Sequence, residues 1–121
     1  MRAILGGAIA AALLLSLPAG ATRRPPARVQ VAADEFSFAL SRVKLVAGPA
    51  IVELANYGED PHDLRLQRAG GTRVYGLPVT APGDFRDLSV RLLPGRYTLW
   101  CSIADHRKRG MVATLIVAAA A

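Results

Sequence analysis

The sequence predicts an all-β domain, a sandwich or barrel of antiparallel strands, on three observations. Apolar residues alternate with polar ones along most of the chain. Turn signals separate these runs at intervals of about ten residues. No stretch carries a convincing helical period. About seven to eight short strands follow from that spacing.

The first residues stand apart from this pattern. Met1-Arg2 is a short positive segment, Ala3 to Leu17 is an apolar run, and Pro18 breaks it before Ala19-Gly20-Ala21. Small residues at those last positions are what a signal peptidase reads, so residues 1–21 are expected to be a secretory signal cleaved after Ala21. The run is shorter than the roughly 18 apolar residues of a spanning helix, which disfavours an anchor. Contact with a membrane is expected only if this segment stays uncleaved. Residues 22–28, which begin TRRPPA, are polar and proline-rich and read as a tether. The folded domain is then 29–121.

Within the domain, Val29, Val31 and Ala33 alternate, as do Phe36, Phe38 and Leu40, each set marking a strand with one buried face. Val43 to Val46 and Ala50 to Ala55 are apolar runs separated by the turn signal Gly48-Pro49. Leu64 and Leu66 alternate until Gly70-Gly71 interrupts them. Residues 72–86 carry Gly76, Pro78, Pro82 and Gly83 and read as a long loop. Leu88, Val90 and Leu92 form the next strand, ended by Pro94-Gly95. Tyr97, Leu99 and Cys101 share one face of the strand after it, and Met111 to Ala118 is the last.

Composition narrows the function. The chain has 121 residues, a formal charge of +6 and one cysteine. No disulfide can form within it. An unpaired thiol in an oxidising compartment needs protection, from a bound metal or from burial. The basic charge does not point to nucleic acid, because export is expected and the arginines are mostly scattered singly. An acidic protein partner or an anionic membrane surface suits it better.

The stretch CSIADHRKRGM, residues 101–111, gathers Cys101, His106 and Met111 on one strand–loop–strand unit with the spacing Cys-x4-His-x4-Met. His62 lies on a different loop, in NYGEDPHDLRL. These are every cysteine and histidine and the only non-initiator methionine in the chain. Singly, each is more often packing or surface. Together, a thiolate, two imidazoles and a thioether suit copper, because the sulfurs stabilise Cu(I) and the imidazoles accept both oxidation states. Structural zinc prefers four strong ligands, usually with several cysteines. A Cys–His nucleophilic pair is the other chemical option, but no oxyanion-hole motif accompanies it.

With EFSF (35–38), Ala47-Gly48, Asn56-x-Gly58…His62-Asp63 and LLPGRYTLWCSIADHRKRGMVATLIV, the chain resembles the cupredoxins, the small blue copper proteins. The resemblance covers nearly all of the expected mature chain, residues 22–121. It implies a Greek-key sandwich holding one copper ion. His62, Cys101 and His106 would be the equatorial ligands and Met111 the axial one, with Asn56, Asp63 and Ser102 around them. Two features depart from the plastocyanin-like pattern. Asp63 stands where those members often carry Asn, and its charge should favour Cu(II) unless nearby arginines offset it. The Cys-to-His gap is also longer than in plastocyanin, nearer to rusticyanin and azurin.

The resemblance further implies an electron carrier without substrate turnover; with the signal segment, it is expected to be periplasmic or otherwise exported, and it is expected to be a monomer. Its electrons would leave through the His106 edge. Arg107, Lys108 and Arg109 would form a collar there for a redox partner with an acidic face. Trp100 faces away from Cys101 by strand alternation. The rival functions are copper delivery, or an accessory copper domain in a larger redox complex.

Overall fold

The computed structural model describes Gly7, residues 10–16 and residues 23–121. The expected cleavage site after Ala21 and part of the apolar run before it lie outside the described residues. Among the described residues no helix is long and apolar enough to cross a membrane.

Among the described residues there are nine strands: β1 Ala27–Asp34, β2 Ser37–Leu40, β3 Lys44–Val46, β4 Gly48–Asn56, β5 His62–Arg68, β6 Val74–Thr80, β7 Phe85–Leu92, β8 Gly95–Trp100 and β9 Val112–Ala118. They form two sheets, β2-β1-β4-β7 and β3-β9-β8-β5-β6. The chain leaves the second sheet after β6, adds β7 to the first, and returns as β8 beside β5. Non-consecutive neighbours of this kind give a Greek-key-type sandwich.

Four details correct the sequence reading. The strands number nine because β6 occupies 74–80, inside the segment read as a loop. Its glycine and two-sided exposure hide the period; β6 is an edge strand, where Pro78 is tolerated. The sheets are mixed rather than purely antiparallel, since β1 pairs with β4 and β3 with β9 in parallel. Strand β1 starts at Ala27, within the tether. Gly48 and Pro49 belong to β4, with Gly48 at a φ of 118° opposite Leu92.

Alternation decides which side chains meet between the sheets. Val29, Val31 and Ala33 of β1 and Ala50, Val52 and Leu54 of β4 face Leu64, Leu66, Tyr97, Leu99, Leu115 and Val117 of the other sheet, all buried. Burying each Val or Leu contributes about 1.5–3 kcal/mol, so the interface carries the fold. Tyr97 donates its hydroxyl to the Leu93 carbonyl at 2.9 Å, pinning the turn that launches β8. The ends of β1, β4 and β8 and the starts of β2, β5 and β9 converge at one pole of the sandwich. The candidate ligands sit there.

Candidate metal centre

His62 is the first residue of β5, and Cys101 immediately follows β8. The pairing of β5 with β8 therefore brings the two within reach although they are far apart in sequence. A register shift between His62 and Leu64 interrupts strict alternation in β5. As a result His62, Asp63 and Leu64 are all buried in succession, which a regular strand forbids.

The loop from 101 to 111 is closed by its own backbone. Cys101 N–H donates to the Met111 carbonyl at 3.2 Å, and Met111 N–H donates to the His106 carbonyl at 3.1 Å. Gly110 adopts a φ of 125°, and a Cβ there would come within 2.9 Å of the Phe36 carbonyl. Only glycine lets the loop close so tightly. His106 is thereby turned inward to 8 % exposure, against 0 % for His62, Cys101 and Met111.

The donor atoms of His62, Cys101 and His106 lie within 4.8 Å of one another. Cys101 Sγ is 3.6 Å from His106 Nδ1. The ring centroids of His62 and His106 are 5.1 Å apart. Burial pushes the Cys101 thiol above its usual range, although the N–H groups of Asp63 and Ile103 pull it the other way. The thiol is sealed, and its sulfur is offered to the two imidazoles.

His62 gives the sharpest test of whether a metal fits. Its Nε2 contacts Glu35 Oε1 at 3.2 Å, while its Nδ1 is buried without a partner among the described residues. A buried polar nitrogen with no partner is costly unless something else binds it. Two imidazole nitrogens and a thiol sulfur match the His2Cys set that binds copper. The donor set fits one copper ion.

The surrounding residues hold the ligand loops. Asp63 Oδ1 accepts the Ser102 N–H at 2.7 Å, and its Oδ2 accepts the Ser102 hydroxyl in a short contact. The Arg65 guanidinium stands 3.7 Å from the same carboxylate. Asn56 donates to the carbonyls of Asp60 and Thr80 and accepts the Gly58 N–H, at 2.8, 2.9 and 2.9 Å. Arg107, Lys108 and Arg109 are exposed beside His106. Arg107 packs 4.7 Å over the half-buried Trp100 ring, and Arg109 lies 4.7 Å over Phe36 while pairing with Asp105 at 2.9 Å.

Two participants escaped the sequence reading. Glu35 and Phe36 occupy the turn between β1 and β2, and Phe36 packs against His106 at 4.9 Å. Alternation assigned Phe36 to a strand. Nothing in the pattern marked Glu35 as a partner of His62; the only signal was its place in the EFSF segment beside the resemblance.

No protein-family model matches the chain, and no curated protein is similar to it. Solved structures are similar in fold. Reduced auracyanin from the photosynthetic bacterium Roseiflexus castenholzii is 15% identical, with a TM-score of 0.61 over 75% of this chain and 96% of that one. A purple cupredoxin from Nitrosopumilus maritimus is 20% identical, with a TM-score of 0.54 over 76% and 99%. A blue copper oxidase from Nitrosomonas europaea is 18% identical, with a TM-score of 0.59 over 80% of this chain but 40% of its own. In its fold the chain is cupredoxin-like.

Proposed function

We propose that the protein is an exported type 1 copper protein that passes single electrons between redox partners. One observation carries the reading: a buried thiol and two buried imidazoles converge within 4.8 Å, with one imidazole nitrogen left free for an ion. His62, Cys101 and His106 would hold the copper in a trigonal set, with Met111 as the weak fourth ligand. Copper so held supplies a one-electron Cu(I)/Cu(II) couple. The residues do the rest. Two strands and a self-closed loop fix the donors, so neither oxidation state requires them to move. His106 keeps the one exposed edge and serves as the exit for electrons. The positive collar of Arg107, Lys108 and Arg109 would draw an acidic partner to that edge.

The test is a visible absorption spectrum as Cu(II) is added and then reduced. An intense blue or green band that bleaches on reduction, and is lost in Cys101→Ser, is the expected result. No such band overturns the reading. Copper delivery is disfavoured by the burial of the donors, since a carrier must release its ion; slow copper exchange with fast electron self-exchange separates the two. The match to part of a longer oxidase chain supports a second reading, an accessory domain within a redox complex.

A further inference from the structure

We propose that Glu35 is the positioning residue of the centre, fixing the tautomer of His62 and favouring the oxidised ion. The proposal rests on the copper reading above. A carboxylate oxygen accepts hydrogen bonds and cannot donate them while ionised. His62 must therefore carry its proton on Nε2, the atom 3.2 Å from Glu35 Oε1. The lone pair is then on Nδ1, the buried atom that has no partner among the described residues. Had the carboxylate been absent, either nitrogen could hold the proton, and half of the choice would block the metal.

Glu35 is itself held in place. The same Oε1 accepts the N–H groups of Glu59 and Asp60 at 2.8 and 2.7 Å. One oxygen thus joins the β1–β2 turn, the loop before β5 and the ligand. Gly58 keeps the seat open, because a Cβ there would collide with the Glu35 carboxylate.

The charge has a second effect. A carboxylate hydrogen-bonded to a ligating imidazole raises its basicity and stabilises the more highly charged ion. Asp63, the carboxylate that holds Ser102, has Arg65 beside it to offset its charge. Arg109 over Phe36 is already paired with Asp105. Among the described residues, His62 is the sole ionic partner of Glu35.

The test uses two variants and two readouts. Imidazole nitrogen NMR of the metal-free protein should find His62 protonated on Nε2 in the wild type and in Glu35→Gln, whose amide oxygen still accepts. Glu35→Ala should show a mixture of tautomers. In the copper-loaded protein, Glu35→Gln should lower the preference for Cu(II) over Cu(I) about tenfold, a rise in potential of about 59 mV. A wild-type His62 protonated on Nδ1 overturns the proposal, as does a Glu35→Gln shift below about twofold, or about 18 mV. If the wild type forms no copper–thiolate band, the copper reading falls, and the tautomer in the metal-free protein alone upholds or overturns the positioning role.

Discussion

Replacing Asn56 with alanine should strongly destabilise the protein. Asn56 is buried at the end of β4, and its side chain ties together three segments: the turn at Gly58, the Asp60 carbonyl before β5 and the Thr80 carbonyl at the end of β6. Two of these bonds are partly exposed, and each is worth about 0.5–1.5 kcal/mol net, hence about 1–3 kcal/mol together. The third lies in the interior, and its loss leaves a buried carbonyl unpaired at a cost of about 1–3 kcal/mol. The sum is about 2–6 kcal/mol, a large share of the ~5–15 kcal/mol a domain possesses. For a domain of this size that lowers Tm by at least about 8 °C. Urea and thermal denaturation of the metal-free protein measure it, because bound metal would add stability of its own. Asn56→Asp keeps the acceptor but turns a charge toward two carbonyls, and should be no better. A loss of less than about 0.5 kcal/mol in Asn56→Ala would falsify the account of this residue as the tie of the ligand loop.

Further outcomes follow from the same geometry. Tyr97→Phe removes the bond to Leu93 and should cost about 1 kcal/mol while leaving any copper spectrum unchanged; an altered spectrum would mean that β8 had shifted at its far end. Changing Arg107, Lys108 and Arg109 together to glutamine should slow electron exchange with an acidic partner at low salt, the difference fading toward 1 M salt. An unchanged rate would remove the collar from the mechanism. Asp63→Asn should keep the Ser102 contacts, since a hydroxyl can accept as well as donate, and should raise the copper potential less than Glu35→Gln because Arg65 already offsets Asp63. Voltammetry of the two variants decides the order.

Acid should also find Glu35. The Asp60 N–H above all, with the Glu59 N–H and His62, holds its carboxyl below 4.5, while desolvation opposes them. The unfolded chain therefore binds the proton more readily than the folded one. The contribution to stability is present above pH 4.5 and is lost as pH falls through the lower folded value. Denaturation of the metal-free protein across that range should show a steeper acid loss in the wild type than in Glu35→Gln. Parallel curves would contradict it.

The sandwich was legible because alternation is a local signal: Val29, Val31 and Ala33, or Tyr97, Leu99 and Cys101, carry their burial on their face. So was the convergence of His62, Cys101 and His106, since a chain with one cysteine and two histidines leaves few ways to build a copper set. What stayed hidden depends on partners distant in sequence. β6 buries only Leu77 and Thr80, too few to show a period, and its existence rests on pairing with β5. The parallel pairs β1–β4 and β3–β9 are decided by which sheet each strand joins, and no residue pattern encodes that. Glu35 looks like any turn acid until the fold sets it against His62, 27 positions away.

The parallel pairing of β3 with β9 joins Lys44 to Ile116, and the Asp63–Ser102 tie spans 39 residues. Contacts of such separation carry a loop-closure cost before they repay it. A chain still extended offers an ion its donors one or two at a time, from segments that have not met. The three donors meet only where β5 has paired with β8 and the 101–111 loop has closed on itself. A chain in which β5 and β8 failed to pair would keep those donors apart and have no grip to offer.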